Sequence, residues 1–277
     1  MTETYRLLYY DTRGIGEPIR YIFAYIGVPY EDIRIKTDEL IDNPSKLLRR
    51  PLPIPPEWEK REYKITNVVN FHPKSMQGSA NNLWVIFVIG VPYGKVPVLE
   101  IERDGGQVRT LVSAKPICRY LASKYGLTAE DPFEDSQCDE YMDSLTDYTG
   151  SKPSLHKYNT YLLNVMHPNE TLLVLRPIYA CEDREARAQL LARVHEAQTP
   201  RYLGTFDTII RENNGYNLVG NKLTWADIYL AHVMDNFTKL LDADLLKNYP
   251  SLANLVHTVL NIPAIKDWIQ VRPNSYW

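Results

Sequence analysis

Cysteine is scarce in this chain. Cys118, Cys138 and Cys181 are odd in number and far apart, with no C-x-x-C pair or Cys/His cluster to hold zinc or exchange disulfides. They read as buried thiols, and no metal site is expected. Neither sign of charge dominates: 31 Lys and Arg against 34 Asp and Glu leave a net charge of −3, which argues against nucleic acid as the main partner. Long apolar runs are missing too. The longest, Leu83 to Val91, is interrupted by Gly90 and is about half of the roughly 20 residues that span a bilayer, so no membrane segment is expected. Met1 to Arg6 carry no basic segment leading into an apolar core and a cleavage site, so the expected location is cytoplasmic. The Asn169-Glu170-Thr171 sequon then has no meaning.

What is present is ordinary in bulk. With 277 residues, 44% hydrophobic and 23% charged, the chain is long enough for two packed domains at about 100–200 residues each. Tyrosine stands out, at 20 residues against 6 Phe and 5 Trp. Most of these rings are expected to be half-buried packing residues.

Residues 4–10 read as a strand, and 15–26 as a helix, because Ile19, Ile22, Phe23 and Ile26 recur at i, i+3, i+4 and i+7. Pro18 lies in the first turn and Gly27 just past the end. Tyr30 to Lys36 read as a second strand. Val98–Glu102 and Val108–Val112 read as two more, joined by Asp104-Gly105-Gly106, and a helix follows through Ile117, Tyr120, Leu121 and Lys124. From Asp131-Pro132 onward only helical signals persist: 133–149, 182–212, 224–237, and shorter segments after Ser251 and Pro263. Thr224-Trp225-Ala226-Asp227 has the form of a capping box, with Thr224 expected to accept a backbone N–H while Asp227 reaches back, and Leu223 with Ile228 as a staple. The order is β-α-β, then β-β-α, then helices.

Two segments interrupt this plan. Residues 41–90 contain Pro51-Leu52-Pro53-Ile54-Pro55-Pro56 and the β-prone run Leu83 to Ile89; residues 150–175 contain Pro153 and Pro168 and little amphipathic pattern. Connections beyond about 12–15 residues without regular structure are uncommon in compact domains. Each is either translated intron sequence or a surface insertion, and a transcript that retains both segments excludes the first.

Tyr5 to Gly14 followed by Glu17 to Tyr25 resembles the opening of the sigma-class, hematopoietic prostaglandin D synthase-like glutathione transferases. So do Pro92-Tyr93-Gly94-Lys95-Val96-Pro97-Val98-Leu99-Glu100, Ile117-Cys118-Arg119-Tyr120-Leu121-Ala122, Gly220 to Asp227, Ile262-Pro263-Ala264 and Trp268-Ile269. The resemblance covers the chain except the two interruptions. It implies an α/β domain of thioredoxin-like form over 1–127 that binds glutathione, followed by an all-α helical domain over 128–277, and a likeness to homodimers. A thioredoxin-type redox protein would need a cysteine near the end of the first strand, where none stands.

A thiol of pKa about 8.5 is a poor nucleophile at neutral pH, and a hydroxyl hydrogen-bonded to its sulfur favours the thiolate. Tyr9 and Tyr10 are adjacent, so they should point to opposite faces of the strand, and alternation leaves open which one faces the cleft. The resemblance picks Tyr9 as the donor. It also implies a cis Val96–Pro97 bond, with the Val96 backbone pairing the tripeptide, and the turn Gly94-Lys95 beside it. Trp58 and Lys60 resemble a tryptophan and lysine that hold one end of glutathione, although they fall inside the first interruption. Ser113 and Ala114 occupy a Gln-Ser pair at a helix start, where N–H groups attract a carboxylate; Ala114 lacks the hydroxyl. Asp147 falls on a carboxylate that reaches across the dimer to the neighbouring subunit's ligand, and Ile15 stands where the class commonly has an arginine. The implied activity is conjugation of glutathione, as co-substrate, to a small hydrophobic electrophile. Alternatives are a catalytically weak structural or ligand-binding protein resembling lens crystallins of this family, and a prostaglandin D isomerase. The aromatic residue associated with isomerisation is not recognisable near Arg176-Pro177-Ile178-Tyr179.

Overall fold

The structure is a computed structural model that describes residues 3–35, 96–103, 107–150, 184–193, 196, 198–240 and 244–275. Residues 41–90 and 151–175 of the two interruptions, and the turn 104–106, lie outside the described residues.

The first part is a four-stranded sheet. Strands β1 (Glu3–Tyr10), β2 (Glu31–Ile35), β3 (Val98–Arg103) and β4 (Gln107–Val112) lie in the order β2-β1-β3-β4. β1 runs parallel to β2 and antiparallel to β3, and β3 antiparallel to β4. In register, Leu8 stands between Ile33 and Val98, and Val98 opposite Val112. Tyr5, Leu7, Leu99 and Ile101 are buried in the main core with Ile19, Ile22 and Phe23 of helix α1 (Glu17–Ile26) and Ile117, Cys118 and Leu121 of helix α2 (Ala114–Tyr125). Leu8 and Val98 belong instead to a second, smaller cluster with Tyr9 and Val96.

Helix α1 starts at Glu17, two residues later than its hydrophobic period predicts. The reason is a single 3-10 turn over Gly14–Gly16, where Gly14 sits at φ +38°, a conformation the i, i+3, i+4 pattern does not encode. Gly27 closes α1 at φ +66°, donating its N–H to Phe23 O and Ala24 O.

The rest of the described chain is helical: α3 (Pro132–Gly150), α4 (Arg184–Arg193), α5 (Thr199–Asn213), α6 (Trp225–Leu240), α7 (Pro250–Leu260) and α8 (Pro263–Val271). The stretch 182–212 is two described helices, not the one its composition predicts. Pro200 has no N–H and fits only a first turn, so α5 begins at Thr199. Helix α6 packs on α7, α3 and α1, and α1 also packs on α8, so the helical part closes directly over the first helix of the sheet part.

The start of α6 corrects the expected cap. Asp227 does reach back, its Oδ2 accepting from Thr224 N at 2.7 Å, but the Thr224 hydroxyl donates to that same carboxylate oxygen at 2.9 Å. Asp227 Oδ1 accepts from Leu218 N at 2.8 Å. A buried carboxylate has acceptors only, so it draws the hydroxyl as well as the amides. The buried Cys138 thiol of α3 in turn lies 3.8 Å from the Thr224 oxygen. Among the described residues, no helix is long and apolar enough to cross a membrane.

Candidate functional site

The sheet register brings the candidate residues to one end of the fold. Tyr9 follows Leu8 on β1, Val96 and Pro97 precede Val98 on β3, and Ser113 follows Val112 on β4, all beyond the row Leu8, Val98, Val112. Tyr9 and Val96 pack in the same buried cluster. The Val96–Pro97 bond is cis, and Pro97 O accepts from Ser113 N at 2.9 Å, tying that turn to the start of α2.

Tyr9 is buried, with 3% of its surface exposed. Its ring lies against the Gly14–Gly16 turn, and its hydroxyl oxygen accepts from the Ile15 N–H at 3.2 Å. Burial pushes the phenol up to about 12, against the pull of the Ile15 N–H, the nearby Arg20 charge and a hydrogen bond with Thr12, so the group is a neutral hydroxyl at physiological pH. The expected separation of Tyr9 and Tyr10 is incomplete: their ring centroids are 5.4 Å apart at 59°.

Arg20 fixes the segment between β1 and α1. Its fully buried guanidinium donates to Thr12 O at 2.9 Å and Tyr10 O at 3.5 Å, and its Cζ lies 5.8 Å from the Tyr9 ring centroid. Glu17 Oε2 at 3.0 Å and Asp32 Oδ2 at 3.1 Å neutralise it. Glu17 Oε1 is held from the far end of the chain, by Trp268 Nε1 and Arg272 Nη1 of the α8 region, each at 2.9 Å. Burial alone would raise the Glu17 carboxyl, but the Arg20 and Arg272 charges beside it hold it below its ordinary range.

Helix α6 adds a contact that sequence reasoning missed. His232 Nε2 is 2.7 Å from Gly14 O. A lone histidine on a helix gives no signal of a partner 218 residues away.

Ser113 is the one non-glycine residue at positive φ among the described residues, at φ 77° and ψ 144°. Such a conformation costs about 1–3 kcal/mol and persists where surrounding structure enforces it. Ala114 is buried at the first position of α2 and offers a methyl where a hydroxyl was expected to matter. Pro116 has no N–H, and Ile117 N is taken by Ser113 O at 3.3 Å, which leaves the Ala114 and Lys115 amides as the first-turn donors. Lys115's ammonium turns away to Asp143 and Thr146 of α3. Asp147 is exposed on α3. Trp58, Lys60, Gly94 and Lys95 lie outside the described residues. Among the described residues, no three His, Cys, Asp or Glu side chains converge as a metal site would need.

Residues 172–272 match the family described as the glutathione S-transferase C-terminal domain. The chain is 27% identical to glutathione S-transferase S1 of Drosophila melanogaster, over 98% of this chain and 79% of that protein. It is 27% identical to hematopoietic prostaglandin D synthase of Mus musculus, over 98% of each. The solved structure of monomeric Na-GST-3, a glutathione S-transferase of Necator americanus, matches with a TM-score of 0.64 at 26% identity, covering 99% of this chain and 100% of that one. Over residues 172–272, and in overall fold, this chain is similar to the glutathione S-transferases.

Proposed function

We propose that the chain is a glutathione transferase in which the Tyr9 hydroxyl stabilises the glutathione thiolate for attack on a small hydrophobic electrophile. The observation that carries this reading is the Tyr9 hydroxyl itself. Its oxygen accepts from Ile15 N–H and it stays protonated at neutral pH, so its own proton is free to be donated to a sulfur. A hydrogen bond to a charged acceptor is worth about 1.5–3 kcal/mol, enough to lower a thiol pKa by one to two units at about 1.4 kcal/mol each. The thiol proton leaves to solvent, the thiolate sulfur forms the new carbon–sulfur bond, and a leaving group such as halide departs with its bonding pair.

In this reading 1–127 binds glutathione and 128–277 helps line the electrophile site. The Val96 backbone pairs the tripeptide beside Pro97, while Ser113 and Ala114 present amides to a carboxylate. Trp58, Lys60, Gly94 and Lys95 serve the remaining contacts, and Asp147 serves the ligand of a second subunit in a cytoplasmic homodimer acting in detoxification.

A second reading, a catalytically weak ligand-binding protein, is favoured by one observation: Ala114 puts a buried methyl at the helix start, losing a hydrogen bond of the size just given. Conjugation of glutathione to a chromogenic chloronitroarene by the purified chain, beside Tyr9→Phe, tests both. Turnover that falls at least tenfold in Tyr9→Phe supports the transferase. A folded chain that binds immobilised glutathione without turnover favours the second reading. Conversion of a prostaglandin endoperoxide by the same protein would instead assign it the isomerase activity of its prostaglandin D synthase relatives.

A further inference from the structure

We propose that His232 of α6 is a positioning residue for Tyr9, acting through the Gly14–Ile15 peptide. The inference deepens the transferase reading and rests on it. One peptide group connects the two side chains. Its oxygen, Gly14 O, lies 2.7 Å from His232 Nε2, and its N–H, that of Ile15, donates to the Tyr9 oxygen at 3.2 Å. The peptide unit is planar, with C=O and N–H pointing in opposite directions, so fixing the oxygen on the helix side aims the N–H at the phenol.

The protonation of the ring follows from the partners. Gly14 O can only accept, so Nε2 carries the proton. Asn236 Nδ2 lies 2.9 Å from the same nitrogen; with the proton on Nε2, the Asn236 amide is assigned turned by 180° so that its oxygen, not its NH2, faces the ring. Nδ1 is buried with no hydrogen-bond partner among the described residues, so the ring is held through Nε2 and by the edge-on Tyr21 ring, centroids 5.6 Å apart. Around the imidazole stand Glu17 and Tyr21 of α1, Asp235 and Asn236 of α6, and Arg272 beyond α8. Burial outweighs the pull of the two carboxylates and keeps the ring neutral down to about pH 4, so the Nε2 proton is in place throughout the range in which the thiol titrates.

A donor on the carbonyl also strengthens the N–H of the same amide, since linked hydrogen bonds polarise one another. A stronger Ile15 N–H draws density from the phenol oxygen, and the hydroxyl becomes a better donor to the thiolate. His232 therefore lets the helical domain set the strength and aim of a group in the sheet domain without touching substrate.

The test compares the pH dependence of kcat/KM for glutathione conjugation in the full chain, in His232→Leu, His232→Gln and Tyr9→Phe. His232→Leu removes the donor; His232→Gln offers an amide N–H of comparable reach. The expected result is a rise of roughly half to one unit in the apparent thiol pKa for His232→Leu, with a loss of roughly three- to tenfold at neutral pH, the size of one neutral hydrogen bond. The rates should converge at high pH, and His232→Gln should restore most of the loss. Should His232→Leu fail to fold, His232→Met replaces it, and the Ile15 amide resonance is the independent readout: it is expected to move upfield of the parent in His232→Met and to stay near the parental position in His232→Gln, and an unaltered resonance in His232→Met overturns the relay. A His232→Leu profile that superimposes on the parent while Tyr9→Phe shifts its own overturns the relay alone. An unshifted Tyr9→Phe profile overturns the transferase reading, and the relay with it.

Discussion

Gly16 approaches the Tyr9 ring so closely that a β-carbon there would stand 2.4 Å from Cδ1 and 2.7 Å from Cγ. The ring has no flexible end to move aside at that point, so the turn and the tyrosine are matched to each other. Gly16→Ala should displace the ring, destabilise the fold by about 1–3 kcal/mol and remove most of any Tyr9-dependent conjugation. Thermal unfolding read alongside turnover checks this, and an alanine variant with parental activity would show that the ring position is not what matters.

Ser113 gives the opposite sign. Its φ of 77° with ψ of 144° is a region open to glycine and costly to other residues. Ser113→Gly should therefore stabilise the chain by about 1 kcal/mol, read as a higher urea midpoint with an unchanged slope. If the serine side chain also serves glutathione, the same variant will show a raised KM for glutathione despite its greater stability.

Two buried titrating groups oppose each other between pH 4 and 6. Burial pulls His232 down to about 4, so the folded state binds this proton less readily than the unfolded one, and its contribution is lost as pH falls from about 6.5 towards 4. Burial pushes Asp227 up to about 6 in spite of its donors. The folded state therefore binds that proton more readily, and this contribution is lost as pH rises through about 6. Relative to the parent, whose lowered carboxyls such as Glu17 add stability as pH rises, unfolding free energy should gain less with rising pH across about 4–6 in His232→Gln and gain more in Asp227→Ala.

Asp227→Ala also strands the Thr224 and Leu218 amides that its carboxylate now accepts. A lost cap and buried donors without acceptors together predict about 2–4 kcal/mol of destabilisation at neutral pH, measured by denaturant unfolding.

Glu17→Ala would leave the buried Arg272 guanidinium without its Glu17 partner and Arg20 with Asp32 alone. Removing one member of a buried ion pair costs about 3–5 kcal/mol. Arg272→Met should cost less, since Arg20 still neutralises Glu17. Comparing the two unfolding midpoints checks the order, and equal losses would mean that Arg20 and Glu17 do not act as a self-sufficient pair.

Local features were the legible ones. The period of Ile19, Ile22, Phe23 and Ile26, the glycine after α1, the strand pair around 98–112 and the Thr224–Asp227 box all sit in short windows where spacing reports geometry. The family resemblance supplied the domain order. What escaped was set by distant partners or by backbone conformation. Nothing around Ser113 marks a positive φ; the angle occurs where Ser113 N–H donates to Pro97 O, a contact the residue type does not encode. The direction of the Thr224 hydroxyl depends on a burial that no motif encodes. His232 and Gly14 are 218 positions apart, and a single sequence carries no trace of such a pairing.

The ties from Glu17 to Trp268 and Arg272 bear on the order in which the molecule can be made. The first helix leaves the ribosome early, carrying a carboxylate whose two other partners lie more than 250 positions later. Contacts of such long range form late and slow the approach to the native state. The sheet half can collapse during synthesis, but its buried charges are complete only when the last helix has emerged and docked. A ribosome stalled before Trp268 would therefore hold a loosely packed nascent chain, open to proteases between β1 and α1 and closed to them once the chain is released and α8 has docked.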